Sequence, residues 1–307
     1  MQNVAATLFV LVLAAVFLTL LERRFHAHPP ARVFARARLV DLAHWVIGAR
    51  LSNLVAGAVF AVAMVAALPS FVIARLGLVE PGHLGDFVTP FMRLPVALQF
   101  PLALLLSDFL GYWSHRLHHQ APLWRFHAIH HSPRELDWMA GARNHPVAEA
   151  AARVCVGIPL ILLGVDFRVL AAMIPFIGLW AVFLHANVRW RFGPLRWVIA
   201  TPHFHRWHHS RAPEARGKNF AALFPLWDLL FGTLFLPDRL PDHFGLDEAQ
   251  NVPSGFVGQT LYPFSGFIAS RRARREVREK HESTKGAGLD PGLDPRVSIE
   301  DAARLRW

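Results

Sequence analysis

Four long apolar segments dominate the pattern of hydrophobic and polar positions along the chain, and polar side chains interrupt them only rarely. When helical, runs of about 18 to 20 apolar residues match the hydrocarbon thickness of a bilayer. The alternative is a set of buried core helices in a large soluble protein, which would have to hide every one of these runs. The pattern therefore predicts an all-α integral membrane protein with four to five transmembrane helices. The segments are Val4–Leu21, Leu51–Leu68, Leu94–Leu106 and Ala150–Val188.

The longest segment predicts two helices, and the first predicts a helix that is retained in the membrane. Gly164-Val165-Asp166 interrupts residues 150–188 near their middle, so this segment is expected to form a helical hairpin. The N-terminal run lacks the preceding basic residues of a signal peptide. Glu22-Arg23-Arg24 also follows it in place of a small-residue cleavage site, so we expect no cleavage.

Basic residues are distributed unevenly between the apolar runs, and this asymmetry predicts their orientation. Several arginines follow the first run, whereas only Arg75 and Arg93 lie between the second and the third. Since basic loops tend to stay in the cytoplasm, the first connection is predicted to be cytoplasmic and the second external. Residues 114–147 and those from Arg189 onward then form a helical cap on the cytoplasmic face. The arginines of the first connection are Arg23, Arg24, Arg32, Arg36, Arg38 and Arg50.

Composition narrows the class of protein. Of the 307 residues, 53% are hydrophobic and 18% are charged, which excludes an intrinsically disordered chain. The single cysteine, Cys155, excludes an intramolecular disulfide framework and a four-cysteine zinc site. Cytoplasmic basic loops explain the net charge of +10 without a nucleic-acid partner. Residues 271–307 are basic at their start and contain the repeat GLDPGLDP, so we expect a disordered tail there.

The eighteen histidines are the unusual feature of the composition, and most of them are clustered on the predicted cytoplasmic face. On a helix, residues i, i+3 and i+4 share one face, so each cluster projects two or three imidazoles together. Neutral imidazole is a common protein ligand for zinc, iron, copper and nickel. The number of imidazoles exceeds the needs of one ion and predicts a di-metal site. The clusters are His115 with His119, His127 with His130 and His131, and His205 with His208 and His209.

The other histidines lie beside these clusters or apart from them. His145 and His185 are candidates for completing the metal shell, whereas the spacing of His118 and His203 indicates neighbours rather than ligands. A single histidine usually has no special role, and we assign none to the isolated ones. These are His26, His28, His44, His83, His243 and His281.

Motifs of several other enzyme classes are missing from the sequence. Glu-x-x-His occurs once, at Glu80 and His83, whereas soluble di-iron carboxylate bundles use paired copies. The sequence contains neither HExxH, the signature of zincin proteases, nor GxSxG, the serine elbow of α/β-hydrolases. A histidine-rich, carboxylate-poor site beside a membrane is compatible with oxygen chemistry on a lipid.

The ordered motifs from residue 108 to residue 236 resemble those of the fatty acid hydroxylase/sterol desaturase superfamily. The resemblance implies an integral membrane, non-haem di-iron oxidoreductase that uses O2 and two electrons. Such proteins hydroxylate or desaturate C–H bonds of sterols, fatty acids or related lipids, in the endoplasmic reticulum or, as is equally open for this chain, in a bacterial inner membrane. The motifs are HRLHH, LWRFHAIHHS, NHPVAE, HAN, TPHFHRWHHS and NFAALFPLWDLLFGT.

The resemblance also assigns cofactors, partners and residues. It implies two iron ions, O2 as cosubstrate, a lipid substrate and a separate electron donor of the cytochrome b5 or ferredoxin type. Asp108 and Asn187 are candidates for polar residues that orient the ligands, and Asp228 either does the same or anchors an interfacial turn. The implied metal ligands are His115, His119, His127, His130, His131, His145, His185, His205, His208 and His209.

Two other functions remain open on the sequence. A membrane-bound zinc hydrolase can use the same imidazoles to activate water, and it needs no reductant. A non-catalytic metal-binding or haem-binding membrane protein is the third possibility. In each case the expected organisation is a set of N-terminal transmembrane helices (1–107), a histidine-rich domain (108–245), a C-terminal extension (246–270) and the tail (271–307).

Overall fold

The computed structural model describes residues 2–29, 36–75, 90–247 and 250–265 of the chain. The chain divides into two compact units, Met1–Thr260 and Leu261–Trp307. Only residues 261–265 of the second unit are described, and they are helical. The predicted tail and the Glu-x-x-His pair at Glu80 and His83 lie outside the described residues.

Helices account for the regular structure of the described residues, which contain no β-strand, so the prediction of an all-α chain is confirmed there. A turn of π-helix, His44–Gly48, joins α2 to α3. Short 3-10 helices occupy Pro90–Arg93, Trp138–Ala142, Gly193–Trp197 and Pro213–Ala215. The α-helices are α1 (Gln2–Phe25), α2 (Arg36–Ala43), α3 (Ala49–Arg75), α4 (Val96–His118), α5 (Trp124–His127), α6 (Pro146–Leu162), α7 (Phe167–His185), α8 (Pro202–His208) and α9 (Leu226–Leu230).

The predicted helical hairpin is confirmed by α6 and α7, and its turn lies where the sequence is interrupted. Gly164 has a φ angle of +71°, a left-handed conformation that favours glycine, and a Cβ atom there would collide with Met92. Asp166 then caps α7, because its carboxylate accepts a hydrogen bond from the backbone N–H of Arg168 (2.8 Å). Local sequence therefore determines where the chain reverses.

Three helical stretches among the described residues are long and apolar enough to cross a membrane. They are Arg36–Ala63, Val96–His118 and Phe167–His185. α1 also exposes large apolar side chains, including Phe17 and Leu20. The total of four to five membrane helices, the cytoplasmic cap and the orientation of the chain stay predictions.

Two apolar clusters hold these helices together and lead towards the histidines. The first joins α4, α6 and α7 through Ala103, Leu160 and Met173. The second surrounds Tyr112 of α4 and Phe204 of α8. Because this second cluster is centred near the C-terminal ends of α4 and α7, it positions α8 beside both of them.

Candidate metal centre

The clustered histidines lie at the ends of α4 and α7, on or directly after the short helix α8, and on the short helix α5 and in the turn that follows it. α8 begins at Pro202 because the Thr201 hydroxyl accepts a hydrogen bond from the N–H of Phe204 (3.3 Å), and because proline suits the first helical turn. α4 ends at His118, and α7 ends at His185. These ends converge, so histidines that are far apart in sequence become neighbours.

The histidine side chains form two groups. Within each group every residue offers one nitrogen atom, and these atoms lie within 4.8 Å of one another. The rings of His131 and His209 stack between the groups, with centroids 4.4 Å apart. The structure therefore brings nine of the predicted ligands together as five and four. The five-histidine group is His115, His119, His127, His131 and His208, and the four-histidine group is His130, His185, His205 and His209.

Hydrogen bonds to backbone carbonyls determine which ring nitrogen carries the proton in four of these imidazoles. A carbonyl oxygen can only accept, so each Nδ1 must be the donor. The other nitrogen, Nε2, then presents a lone pair to its group, which is the form that binds a metal ion. The four bonds are His115 Nδ1 to Phe220 O (2.7 Å), His208 Nδ1 to Lys218 O (2.8 Å), His185 Nδ1 to Ala181 O (2.7 Å) and His130 Nδ1 to Arg143 O (3.3 Å).

Lone pairs that face each other indicate that the groups are built to hold cations. The Nε2 atoms of His130 and His185 lie 3.3 Å apart, and neither carries a proton. Their contact is repulsive unless a positive ion lies close to both. The Nε2 atoms of His119 and His208 are buried and have no hydrogen-bond partner among the described residues. Because such atoms are costly to bury, their arrangement fits a bound metal ion.

The spacing of the nitrogen atoms also fits a metal ion. Two ligands at right angles on an ion with bonds of about 2.1 Å are about 3.0 Å apart. The observed Nε2–Nε2 distances are 3.0 Å for His115 and His127, 3.2 Å for His127 and His131, 3.0 Å for His185 and His205, and 3.1 Å for His205 and His209.

Seven histidines of the two groups lie outside the membrane-compatible helices, and burial favours the neutral form of their side chains. It lowers the pKa of each of these imidazoles well below the usual value, and neighbouring histidines lower it further. These side chains are therefore neutral near pH 7 and competent to bind a metal. They are His119, His127, His130, His131, His205, His208 and His209.

His145, a predicted ligand, lies outside both groups. Its Nδ1 accepts a hydrogen bond from the N–H of Val147 (3.1 Å) and so caps α6, while its Nε2 donates to Thr260 O (3.0 Å). Both ring nitrogens are therefore used in holding the backbone. The two histidines predicted to be neighbours of the ligands also bond to carbonyls, His118 to Ser114 O (2.7 Å) and His203 to Arg239 O (2.9 Å).

Asp108 acts on the backbone rather than directly on an imidazole. Its buried carboxylate accepts three backbone N–H groups, those of residues 222–224, at 2.8 to 3.1 Å. The same segment supplies the Phe220 carbonyl that accepts a hydrogen bond from His115. Asp108 therefore does not bond to a ligand imidazole, as the sequence predicted, but acts through the backbone segment that orients His115.

Asp228 holds the same segment from its other side. Its carboxylate accepts the N–H groups of Phe220 (2.8 Å) and Ala221 (2.9 Å). It also accepts the hydroxyl of Thr233 (2.6 Å), which lies 2.9 Å from the Tyr112 hydroxyl. α9 is therefore tied, through one buried carboxylate, to the carbonyl that orients His115.

Asn187 joins the end of α1 to the chain that follows α7. Its side-chain oxygen accepts hydrogen bonds from the N–H groups of Ala27 (3.2 Å) and His28 (3.1 Å) and from Arg206 Nη2 (2.9 Å). Its backbone N–H donates to the buried carboxylate of Glu22 (2.8 Å). Asn187 therefore acts on the scaffold around the four-histidine group rather than on a ligand ring.

Sequence reasoning missed Arg143. Its carbonyl accepts the hydrogen bond from His130, and its guanidinium Nε donates to the buried Asp41 carboxylate at 2.6 Å. The two partners are 102 positions apart, so no local spacing marks the pair. The burial of Arg143, a loop residue, depends on the packing of the helices and could not be predicted from the sequence.

Known proteins with similar sequences support the resemblance. Residues 100–233 match the family model of the fatty acid hydroxylase domain. The ornithine lipid hydroxylase OlsE of Rhizobium tropici is 37% identical over 188 residues, which are 60% of this chain and 54% of that protein. The alkylglycerol monooxygenase of Homo sapiens is 33% identical over 200 residues, 65% of this chain and 44% of that protein.

A third relative is the Delta(7)-sterol 5(6)-desaturase ERG3A of Gibberella zeae, 29% identical over 142 residues, 46% of this chain and 39% of that protein. The chain thus spans about half the length, or less, of these relatives. No solved structure matches the chain. The resemblance drawn from the histidine motifs is confirmed by the family model and by these relatives.

Proposed function

We propose that this chain, a member of the fatty acid hydroxylase family through residues 100–233, is an O2-dependent oxidoreductase of membrane lipids. In this proposal the two histidine groups hold two non-haem iron ions. The protein hydroxylates or desaturates a C–H bond of a sterol, a fatty acid or a related lipid. A separate donor of the cytochrome b5 or ferredoxin type supplies two electrons.

The observation that carries the proposal is the convergence of nine buried imidazoles in two adjoining groups. Each group contains more nitrogen donors than the three protein ligands of a catalytic zinc site, whose fourth position stays open for water. Imidazole suits iron, and a site without carboxylate ligands differs from that of soluble di-iron bundles. The two groups therefore favour redox-active metal over a hydrolytic zinc ion.

The unequal size of the groups distinguishes their roles. The four-histidine group of His130, His185, His205 and His209 would leave a bound metal ion more room for exogenous ligands than the five-histidine group would. We infer that O2 and the lipid would be received on the side of the four-histidine group.

The chain's own residues prepare the site for this chemistry. Bound iron would supply the activation of O2 and of the C–H bond. The backbone carbonyls keep protons on Nδ1, so the ligands stay neutral and directed inward. Phe220 packs against the rings of His115, His119 and His208, with centroids 5.0 to 5.7 Å apart, and helps to exclude water from the five-histidine group.

The names of the relatives support a lipid substrate without identifying it. They are named for an ornithine lipid, an alkylglycerol and a sterol, and their reactions are hydroxylation, monooxygenation and desaturation. The substrate of this chain belongs to the same broad class in our proposal. Its head group, and the choice between hydroxylation and desaturation, depend on the cavity that the bound lipid would occupy.

We also propose that the metal centre lies at the cytoplasmic face of a bacterial inner membrane or of the endoplasmic reticulum. α4, a membrane-compatible helix, carries His115 in its last turn and is followed directly by His119, and α7 ends at His185, which supports a position close to the membrane surface. The basic residues of the first connection support the cytoplasmic orientation.

Metal analysis of the detergent-purified protein tests the proposal directly. We expect about two iron ions per chain, because each histidine group holds one ion, and an exchange-coupled pair in the Mössbauer spectrum of an iron-57 sample. His130→Ala removes a ligand of the four-histidine group and should lower iron to about one per chain. His145→Ala, matched in residue type but outside both groups, should keep two.

A functional measurement separates the alternatives. Oxygen uptake should require both a reductant and a lipid extract, and it should be lost in His130→Ala. Zinc that persists after expression with excess iron, without reductant-dependent oxygen uptake, would support the hydrolase. Absence of any bound metal would contradict both enzymes.

A further inference from the structure

The end of α1 and the segment after α7 form one continuous surface. The backbone N–H of Arg189 donates to the carbonyl of Phe25 (2.9 Å), and the rings of Phe25 and Trp190 pack with centroids 5.3 Å apart. The guanidinium of Arg24 lies over the Phe25 ring at 5.0 Å. Two stretches that are more than 160 residues apart in sequence are thus joined at the ends of two apolar helices.

This surface carries positive charge that no described acidic residue neutralises by an ion pair. Four exposed arginines surround the contact, and we call them the basic rim: Arg23, Arg24, Arg189 and Arg191. Asp238, which lies close enough to interact with Arg191, forms its ion pair with Arg196 at 2.7 Å. A cluster of arginines that forms no ion pair with the described acidic residues attracts an anionic partner.

Large apolar side chains are exposed beside the basic rim. Leu195, Trp197 and Val198, in and after the 3-10 helix Gly193–Trp197, are 46%, 53% and 61% exposed. On the other flank, α1 exposes Leu20, one turn before Arg23 and Arg24. A hydrophilic acidic protein or a nucleic acid would leave these side chains in water. A bilayer surface covers both the charges and the apolar groups.

We propose that the basic rim and the apolar patch of Leu195, Trp197 and Val198 form a binding surface for anionic lipid head groups. The arginines bind phosphate groups, and the patch enters the boundary between head groups and acyl chains. Arg189 of the basic rim follows His185 by four residues. Binding of the rim to head groups therefore determines how deep the four-histidine group lies relative to the membrane surface. The inference depends on membrane insertion and is independent of the metal's identity.

Lipid selectivity of the full chain tests the proposal. The protein is reconstituted in phosphatidylcholine vesicles that contain trace spin-labelled phosphatidylglycerol or phosphatidylcholine, and the motionally restricted fraction of each label is measured. We expect selectivity for phosphatidylglycerol that weakens as salt is raised. Arg189→Gln with Arg191→Gln should reduce the selectivity by up to about fivefold per arginine removed.

A charge-matched control separates local binding from bulk electrostatics. Arg211→Gln with Arg216→Gln removes the same charge from two exposed arginines that pair with Asp247 at 3.2 Å, and it should keep the selectivity. Equal loss in both variants, or no selectivity in the wild type, would overturn the proposal. If the rim variant fails to fold, Arg189→Lys with Arg191→Lys replaces it and should retain selectivity.

A depth measurement identifies what covers the apolar patch. In a Cys155→Ser background, a nitroxide on Val198→Cys should collide more often with O2 than with a water-soluble nickel chelate. The same label on Glu214→Cys, an exposed position in the 3-10 helix Pro213–Ala215, should show the reverse. A water-accessible label at residue 198, or spin–spin broadening from a second copy, would refute the bilayer as the occupant. Iron content plays no part in this readout.

Discussion

Individual protons decide how the imidazoles of the metal centre behave. The carbonyls of Phe220 and Lys218 keep Nδ1 protonated on His115 and His208, so that Nε2 is free for a metal. Sequence spacing predicted that His127, His130 and His131 share one face, whereas the structure divides them between the two groups. Spacing also carries no information on tautomers. That information resides in backbone carbonyls which the fold brings to the rings.

The lowered pKa values predict how acid affects the metal-free protein. The buried histidines have a pKa below about 6.5, the usual value for an exposed imidazole. The unfolded chain therefore takes up protons first as pH falls, so stability is present above pH 6.5 and decreases below it. We expect Tm of the metal-free protein to fall between pH 7.5 and pH 5.5 in scanning calorimetry, whereas an unchanged Tm would contradict this. His131→Asn should reduce the slope, because it removes one titrating group.

Asp108→Asn tests whether a carboxylate is needed behind the five-histidine group. An amide presents one oxygen and places an NH2 group against backbone donors, so the segment 222–224 loses acceptors. We expect a loss of about 1–3 kcal/mol in the free energy of unfolding, with weaker metal retention by this group. Asp238→Asn, an exposed carboxylate, is the control, and chemical denaturation with metal analysis gives both readouts. Equal effects of the two variants would contradict the assignment.

At the scale of secondary structure, the histidines of the metal centre lie at or near helix ends rather than in the middle of the long helices. The apolar runs predicted the long helices and the hairpin turn at Gly164 well, because periodicity and turn residues are local. His145 shows the limit of this approach. Nothing in the sequence around His145 distinguishes a helix cap from a metal ligand. Its role became clear only from the structure, where Nε2 donates a hydrogen bond to Thr260 O.

Thr201→Ala tests the start of α8, the helix that carries His205 and His208 and is followed directly by His209. Loss of the N-cap should cost about 1 kcal/mol of stability and loosen the orientation of His205 and His208. Thr201→Ser keeps a hydroxyl and should stay within a few tenths of a kcal/mol of the wild type. Thermal unfolding and iron retention during dialysis are the measurements, and full retention with the alanine variant would contradict the role of the cap.

Buried ion pairs connect the N-terminal helices to the metal centre at the scale of the whole molecule. Arg143 pairs with Asp41 of α2, and Arg38 pairs with Asp137, at 2.6 and 2.7 Å, with all four side chains buried or nearly so. Glu22 of α1 accepts hydrogen bonds from Trp138 and Asn187. The N-terminal helices therefore support the loop after α5 as well as anchoring the chain.

Asp41→Asn tests this long-range support. Removing one charge leaves the Arg143 guanidinium buried without its ion partner, which typically costs about 3–5 kcal/mol. The displaced Arg143 carbonyl should also weaken metal binding by His130. Glu149→Gln breaks the exposed pair with Arg153 and should cost less than about 1 kcal/mol. Comparable losses in both variants, measured by chemical denaturation, would contradict the buried network.

Residue type and spacing alone were enough to predict the all-α class, the hairpin and nine histidines that lie together, because helical periodicity repeats every few residues. They were also enough to find the resemblance to the fatty acid hydroxylase/sterol desaturase superfamily. The division of these imidazoles into groups of five and four, the exclusion of His145, and the roles of Asp108 and Arg143 depend on contacts across about a hundred residues. Such contacts arise from packing of the helices in three dimensions, which no local pattern encodes.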